Sequence, residues 1–268
     1  MIIGIDIGST TTKAVSIEDG KLTRKVKTRA SDAITAATGA FGKMILENGM
    51  TMDRIKGIMI TGAGASKIKN DIFGIPTRRV DEIKAIGTGG MFLSGMDNII
   101  ITNIGTGTVI IEAGKKGISH FGGTGVGGGT IFGLAKKLLP ASDFSVIMNL
   151  AQAGNLDHVD LLLEDIMDTD ISFLDKQTTA ANFGKMLDTA TSGDVALGIL
   201  NMVYQVIGML SVFAARAKNT DKVIVTGNGS GNPIGQKILS VITQMYGISF
   251  IYPENAEYTT AIGAGLSL

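Results

Sequence analysis

The sequence lacks cysteine altogether and contains only two histidines, His120 and His158, among its 268 residues. Without cysteine the chain cannot form a disulfide, use a thiol nucleophile or hold an iron–sulfur cluster through cysteine ligands. Two histidines are too few for a metal site built from histidine side chains. These absences exclude disulfide-stabilised domains, thiol enzymes and cysteine-ligated redox proteins.

Net charge is also lacking, because 24 basic residues balance 24 acidic ones. The composition therefore gives no global electrostatic basis for binding nucleic acid or an anionic membrane. A local basic run at residues 24–27 is typical of a solvated edge strand. No run of about eighteen apolar residues and no signal-type segment occurs, so we expect a cytoplasmic protein that does not insert into a membrane. The apolar content of 44% indicates a globular chain, long enough for one large domain or two small ones.

Residues 4–13 are the most informative segment of the chain. An apolar strand ends at Asp6 and is followed by Gly8, which permits a tight turn, by a row of hydroxylated residues and by Lys13. A carboxylate for a cation, small hydroxyls, free backbone N–H groups and a lysine suit a polyphosphate with magnesium. An ordinary hairpin with a threonine-rich second strand is the alternative interpretation.

A second segment, residues 99–108, repeats this pattern. An apolar strand again runs into a polar residue, Asn103, and then into alternating glycine and threonine. Two phosphate-type hairpins in one chain indicate a duplicated architecture with a ligand between the halves.

Together these segments resemble the actin-like superfamily of sugar kinases, acetate kinases and heat-shock chaperone ATPases. The resemblance implies an α/β fold of two ribonuclease-H-like domains, each a mixed five-stranded sheet flanked by helices, with ATP in the cleft between them. We place the domains at residues 1–98 and 99–268, the second with a helical insert. The phosphate motifs of the superfamily match residues 6–13 and 103–108, and its adenosine motif matches residues 223–230. The nucleotide-binding residues so implied are Gly8, Ser9, Thr10, Lys13, Gly105, Thr106, Gly107, Gly227 and Ser230.

The periodicity of the remaining chain agrees with the order of strands and helices in ribonuclease-H-like domains. In the first half we expect a third strand over residues 21–30, helices over 33–48, 63–72 and 82–94, a strand over 55–61 and an extended segment over 76–80. In the second half we expect helices over residues 129–152, 156–167, 196–217 and 261–266 and a strand over 249–252. The helix over 196–217 is apolar on both faces, so it is either a core helix, which we favour, or a dimerisation helix.

Residues 122–130 form a glycine-rich cluster that opens a helix. Such a turn is an anion site, because free N–H groups and the helix dipole converge there. The cluster contains no lysine and is therefore not a Walker A loop. We predict that Gly125, Gly127, Gly128 and Gly129 contact the phosphates, the alternative being a merely flexible loop.

The glycine cluster also resembles a segment of the type II pantothenate kinases, as do residues 103–108, 179–184, 254–255 and 261–264. This resemblance spans nearly the whole chain. Activators of 2-hydroxyacyl-CoA dehydratases resemble its N-terminus too, but they hold an iron–sulfur cluster through cysteines, which are absent here.

The resemblance implies roles for particular residues. Glu82 is the candidate base that accepts the proton of a primary alcohol, with Asp81 as its nearest competitor. Asp6 would orient magnesium, and Lys13 would either neutralise phosphate charge or pair with a carboxylate. Thr106 and Thr108 would lie near the γ-phosphate and the substrate.

The acceptor position departs from the family. His120 stands where the family has an arginine that resembles a clamp on the pantothenate carboxylate. Histidine offers at most one pH-dependent contact in place of a permanently charged fork. Either pantothenate is held differently, with His120 in the substrate site, or the substrate is another small alcohol.

The sequence thus predicts an ATP- and Mg²⁺-dependent kinase of a primary hydroxyl, with pantothenate as the expected acceptor in the first step of coenzyme A biosynthesis. A kinase of a sugar or amino sugar and a nucleotide-binding ATPase or regulator without a small-molecule acceptor are the alternatives. The resemblance further suggests a homodimer.

Overall fold

The structure, a computed structural model, describes residues 1–29, 32–140, 143–167 and 175–267. Its strands are β1 Ile2–Ile7, β2 Thr11–Glu18, β3 Lys21–Arg29, β4 Gly57–Thr61, β5 Thr77–Arg79, β6 Ile99–Ile104, β7 Thr108–Gly114, β8 Gly117–Thr124, β9 Leu161–Leu162, β10 Thr179–Ala181, β11 Lys222–Thr226 and β12 Ser249–Ile251. Its α-helices are α1 Ala33–Asn48, α2 Glu82–Ser94, α3 Gly128–Leu138, α4 Phe144–Gln152, α5 Ser192–Ala217, α6 Pro233–Tyr246 and α7 Thr259–Leu266.

Two five-stranded sheets share one topology. The N-terminal sheet has the order β3-β2-β1-β4-β5 and the C-terminal sheet the equivalent order β8-β7-β6-β11-β12. In each, three antiparallel strands formed by two hairpins are followed by two strands that run parallel to the first. The predicted pair of mixed five-stranded sheets is confirmed, and the duplication seen in the sequence is a duplication of structure.

Helices α2 and α7 lie between the two sheets and each crosses to the other half of the chain. The C-terminal helix α7 packs on β1, β2 and β4, whereas α2 packs on β6, β7 and β8. The predicted boundary at residue 98 separates the two sheets in sequence. The helices pack across it, because each sheet is covered by a helix from the other side of the boundary. The boundary itself stays a prediction.

The crossing of α2 and α7 depends on glycine. A Cβ atom at Gly263 would lie 1.7 Å from the carbonyl oxygen of Ala85, and one at Gly89 would lie 2.0 Å from that of Thr259. No side chain can be accommodated at either position unless the helices separate. The two backbones are in direct contact at the centre of the molecule.

We expect Gly263→Ala to destabilise the protein by about 3 kcal/mol, because the methyl group overlaps backbone atoms that cannot rotate away. Chemical denaturation monitored by circular dichroism measures this loss. Gly39→Ala on α1 is the matched control, since nothing lies within 4 Å of a Cβ atom there. At this exposed position alanine should stabilise the helix by about 0.5–1 kcal/mol. Equal stability of the two variants would contradict the tight crossing.

Helix α5 forms the core of the C-terminal half. It is long and apolar enough to cross a membrane, but 61% of its most apolar window is buried inside the fold. Leu200, Val203 and Ile207 pack against the second sheet and α6 in the largest apolar cluster. The core role favoured for this helix over dimerisation is confirmed.

Three predicted helices differ from the structure. The segment 129–152 contains two helices, α3 and α4, with residues 141–142 outside the described part. The segment 63–72 forms only a short 3-10 helix, Ala63–Lys67. The helix predicted over 156–167 is wrong: it is replaced by two 3-10 turns and by β9, which pairs with β10.

Asp160 explains the last difference. Its fully buried carboxylate accepts hydrogen bonds from the Thr179 hydroxyl, the Phe183 backbone N–H and the Asn201 side chain. A buried carboxylate requires such donors, and these come from distant segments rather than from its own helical turn. Asp160 thereby links segment 179–184, which resembles the type II pantothenate kinases, to Asn201 on α5.

Candidate active site

The two phosphate-type hairpins face each other at the carboxyl ends of β1 and β6. The hydroxyls of Ser9 and Thr106 are 2.7 Å apart, and the Asn228 side chain donates to the Thr11 hydroxyl at 3.1 Å. Between the hairpins lies a cleft of about 360 Å³. It is lined by Asp6, Gly8, Ser9, Thr10, Thr11, Lys13, Ala63, Glu82, Asn103, Gly105, Thr106, Gly107, Thr108, Val109, Thr124, Gly227, Asn228 and Thr260.

Asp6 and Lys13 are paired residues on neighbouring strands, with Lys13 Nζ 4.0 Å from Asp6 Oδ2. Burial raises the pKa of Asp6 to about 6; Lys13 lowers that pKa and Glu82 raises it further. Burial likewise lowers the pKa of Lys13, which Asp6 partly offsets. Two roles were predicted for Lys13, neutralising phosphate charge or pairing with a carboxylate, and its position beside Asp6 agrees with the second. One lysine at 4.0 Å leaves the buried Asp6 charge incompletely neutralised.

Glu82 and Asp81 have different surroundings although they are adjacent. Asp81 is the N-cap of α2 and its carboxylate accepts the Lys84 backbone N–H at 2.9 Å. Glu82 lines the cleft together with Asp6. Desolvation by the cleft walls raises the pKa of Glu82, and the Asp81 charge adds to this effect. The capping bond occupies Asp81, so Glu82 is the better placed of the two carboxylates to reach a ligand.

The glycine-rich run supports the second hairpin. The backbone N–H groups of Gly128 and Gly129 donate to the carbonyls of Gly105 and Thr106 at 2.9 and 2.8 Å. The Thr108 hydroxyl donates to the Val126 carbonyl at 2.8 Å. These donors are therefore used within the protein, and the run fixes the shape of the loop that faces the cleft.

This geometry gives the cluster a structural role that the sequence did not predict. Gly125, Gly127, Gly128 and Gly129 are absent from the described cleft lining, and a Cβ atom at Gly127 would lie 2.7 Å from the Thr106 carbonyl oxygen. Glycine is required there for close packing of two loops. Direct phosphate contact by these four residues is a prediction that the geometry does not favour.

A second cavity, of about 620 Å³, adjoins the cleft. Asn228 lines both spaces, and Ser230 lines the second. The loop between them is held from below, since the Ser230 hydroxyl donates to the Gly227 carbonyl and the Tyr204 hydroxyl donates to the Gly229 carbonyl. The arrangement offers an extended ligand one compartment for phosphates and a neighbouring one for a nucleoside.

His120 is not brought to either space. It lies on the outer strand β8, its side chain exposed, and is paired with Ile111 across the ladder. The strand meets the cleft only at its end, through Thr124. Contact between His120 and a substrate therefore has no support within the described chain.

Sequence reasoning missed Asn228 and Thr11 as cleft residues. Both lie inside the segments that match the phosphate and adenosine motifs, residues 6–13 and 223–230, but neither was among the residues predicted to bind the nucleotide. Their polar side chains and their positions after strand ends were the available signal. The hydrogen bond between them, which joins the two halves of the molecule, has no counterpart in either local motif.

No group of three or more acidic or histidine side chains with metal-ligand geometry occurs among the described residues. Asp6 nevertheless suits a divalent cation that arrives with a polyphosphate. Its carboxylate is buried, lines the cleft and has a pKa raised to about 6, so an added positive charge would be favourable there. Magnesium in such sites is bound by one or two carboxylates plus phosphate oxygens and water.

Comparison with known proteins agrees with this geometry. Residues 98–267 match the Fumble family. A type II pantothenate kinase of Bacillus cereus is 31% identical over 98% of this chain and 96% of its own length. Another, of Staphylococcus haemolyticus, is 28% identical over 98% of each chain.

Solved structures share the fold at lower identity. The activator of the 2-hydroxyisocaproyl-CoA dehydratase from Clostridium difficile, with bound ADPNP, superposes with a TM-score of 0.69 at 17% identity, covering 99% of this chain and 92% of that one. A ROK hexokinase from Thermus thermophilus gives 0.58 at 14% identity, covering 99% and 97%. These likenesses establish the actin-like fold alone. The cleft with its two hairpins, and relatives about 30% identical over nearly the full length, show that the chain belongs to the type II pantothenate kinase family.

Proposed function

We propose that this chain transfers the γ-phosphoryl group of ATP to the primary hydroxyl of pantothenate. The observation that carries the proposal is that Glu82 and both phosphate-type hairpins line one cleft. A phosphoryl-transfer site needs a place for a polyphosphate, a place for a nucleoside and a carboxylate near the acceptor. The cleft, the adjoining cavity and Glu82 offer these three elements. The relatives of the chain are named pantothenate kinases, which indicates the acceptor.

In this proposal the acceptor hydroxyl lies against Glu82. Its oxygen attacks the γ-phosphorus, its proton passes to the Glu82 carboxylate, and the bond to the β-phosphate oxygen breaks to release ADP. Ser9, Thr10 and Thr106 present hydroxyl and backbone N–H donors to the phosphates from opposite walls. Lys13 adds positive charge beside Asp6. Magnesium held by Asp6 and the phosphates would supply neutralisation of the phosphate charge.

The remaining expectations are part of the same proposal. A cytoplasmic location and a homodimer follow from the family resemblance and from the composition of the chain. A small alcohol is the only further partner that the proposal needs.

An ADP-release assay with a panel of acceptors tests the function. Pantothenate, pantetheine, N-acetylglucosamine and glucose are each added to enzyme, ATP and Mg²⁺, beside a reaction without acceptor. We expect pantothenate to stimulate ADP release at least tenfold above the rate without acceptor. Stimulation by a sugar alone would move the chain to sugar kinases, and release that no acceptor changes would indicate an ATPase or regulator.

A further inference from the structure

The third strand of the N-terminal sheet reaches across to the C-terminal half. The Lys25 ammonium donates to the Asn255 side-chain oxygen and lies 5.6 Å from the centre of the Tyr258 ring. Two residues along the same edge of β3, Lys27 Nζ is 2.7 Å from Glu257 Oε2. Alternate side chains of one strand therefore both meet the short segment 255–258.

Lys25 also lines the second cavity, next to Asn228, Glu254, Asn255 and Glu257. Among the described residues that line this cavity, Lys25 alone comes from the N-terminal sheet; the others lie between residues 144 and 257. The cavity is therefore complete only while β3 is docked on segment 255–258, which contains a 3-10 turn.

We propose that Lys25 is a nucleotide-binding residue contributed across the cleft, and that the Lys27–Glu257 ion pair holds it in place. This assignment rests on the proposed function, because it takes the cavity to be the site of the nucleoside of ATP. The ligand class is a nucleoside di- or triphosphate, whose ribose and base offer hydrogen-bond acceptors to the Lys25 ammonium in the wall of the nucleoside cavity.

The energetics favour a role in binding over a role in stability. Lys27 and Glu257 are 43% and 37% exposed, and ion pairs of this kind contribute little to folding. A nucleotide in the cavity, however, touches both halves and binds fully only when they are docked. A ligand shifts an equilibrium toward the state in which it has more contacts, here the docked state. Nucleotide affinity therefore depends on the ion pair that stabilises docking.

The first test replaces Lys25 by methionine, which keeps the length of the side chain and removes its charge. We expect KM for ATP and the ADP dissociation constant to rise about three- to tenfold, with KM for pantothenate within twofold of the wild type. Titration calorimetry with ADP provides the second value without turnover. Lys21→Met is the control, because Lys21 lies on the same strand but not in the cavity wall.

The second test exchanges charges. Lys27→Glu and Glu257→Lys should each weaken ADP binding about threefold or more, and the double variant should recover most of the loss. Lys218 and Glu112 form a comparable half-exposed ion pair outside both spaces, and the same exchange there should leave ADP affinity unchanged. Single variants that bind ADP as well as the wild type, or a double variant that recovers nothing, would overturn the role of this ion pair.

The two proposals fail in different ways. Unchanged ADP affinity in Lys25→Met, in an enzyme that phosphorylates pantothenate, would overturn the assignment of Lys25 and leave the function intact. Weaker ADP binding in Lys25→Met, in a protein that turns over no acceptor, would support Lys25 and overturn the kinase activity.

Discussion

Replacement of Glu82 by glutamine lowers kcat for pantothenate phosphorylation by about 10²- to 10⁴-fold, the usual contribution of a general base. Glutamine keeps the size and polarity of the side chain but cannot accept the hydroxyl proton. The raised pKa of Glu82 in the cleft makes its carboxylate a stronger base than an ordinary glutamate. For the same reason, the wild-type rate should fall as the pH drops through this raised pKa.

Asp81→Asn is the matched control for this prediction. Asp81 is adjacent and equally acidic, but its carboxylate caps α2 through the Lys84 backbone N–H. Asparagine also caps helices, so the control should lose well under about 1 kcal/mol of stability and keep kcat within a fewfold. Steady-state kinetics measures both variants, and ADP titration verifies that Glu82→Gln still binds nucleotide. Full turnover by Glu82→Gln would eliminate Glu82 as the base.

Much of this site could be predicted from sequence because its parts are local. A phosphate hairpin needs a strand, a turn and hydroxylated residues in succession, and residues 4–13 and 99–108 contain all three in order. The same holds for Glu82, which begins a helix directly after its N-cap residue, Asp81. Local patterns of this kind survive folding because the backbone fixes the spacing between their members.

What could not be predicted depends on residues far apart in the chain. Nothing near Gly128 indicates that its N–H group donates to the Gly105 carbonyl, so the cluster resembled a free anion site. The contact between Gly263 and Ala85 and the bond from Asn228 to Thr11 likewise join segments more than 170 residues apart. The helix predicted around Asp160 was wrong for the same reason, since its partners Thr179 and Asn201 lie downstream.

Asp6→Asn should make the free energy of unfolding of the ligand-free protein much less dependent on pH. The folded-state pKa of Asp6 is raised from 3.8 to about 6, so between these values the folded protein retains a proton that the unfolded chain releases. Stability therefore falls as the pH rises across this window, by about 3 kcal/mol in total at about 1.4 kcal/mol per pKa unit. Urea denaturation at pH 4.5 to 7.5 measures the slope, which should be clearly smaller in the variant; Glu82, whose pKa is also raised, contributes the part that remains.

Asp19→Asn is the control for the loss of a carboxylate. Asp19 lies in the β2–β3 turn with φ of 49°, a conformation that asparagine also adopts readily. This variant should keep the wild-type pH slope and the wild-type activity. Because Asp6→Asn also deprives Lys13 of its partner at 4.0 Å, the slope is a better readout than absolute stability at one pH.

Asp6→Asn should also lower kcat by about 10²- to 10³-fold, because a cation at the phosphates contributes several kcal/mol to phosphoryl transfer. The unfavourable ionisation of the buried Asp6 explains why: its carboxylate gains most when a divalent cation arrives with the nucleotide. In the wild type, Mg²⁺ added with ADP should raise the melting temperature well above that with ADP alone. In Asp6→Asn this increment should shrink to a small fraction of the wild-type value. An unchanged Mg²⁺ increment in the variant would show that the cation is held elsewhere, and the pH slope would then report only the cost of burying Asp6.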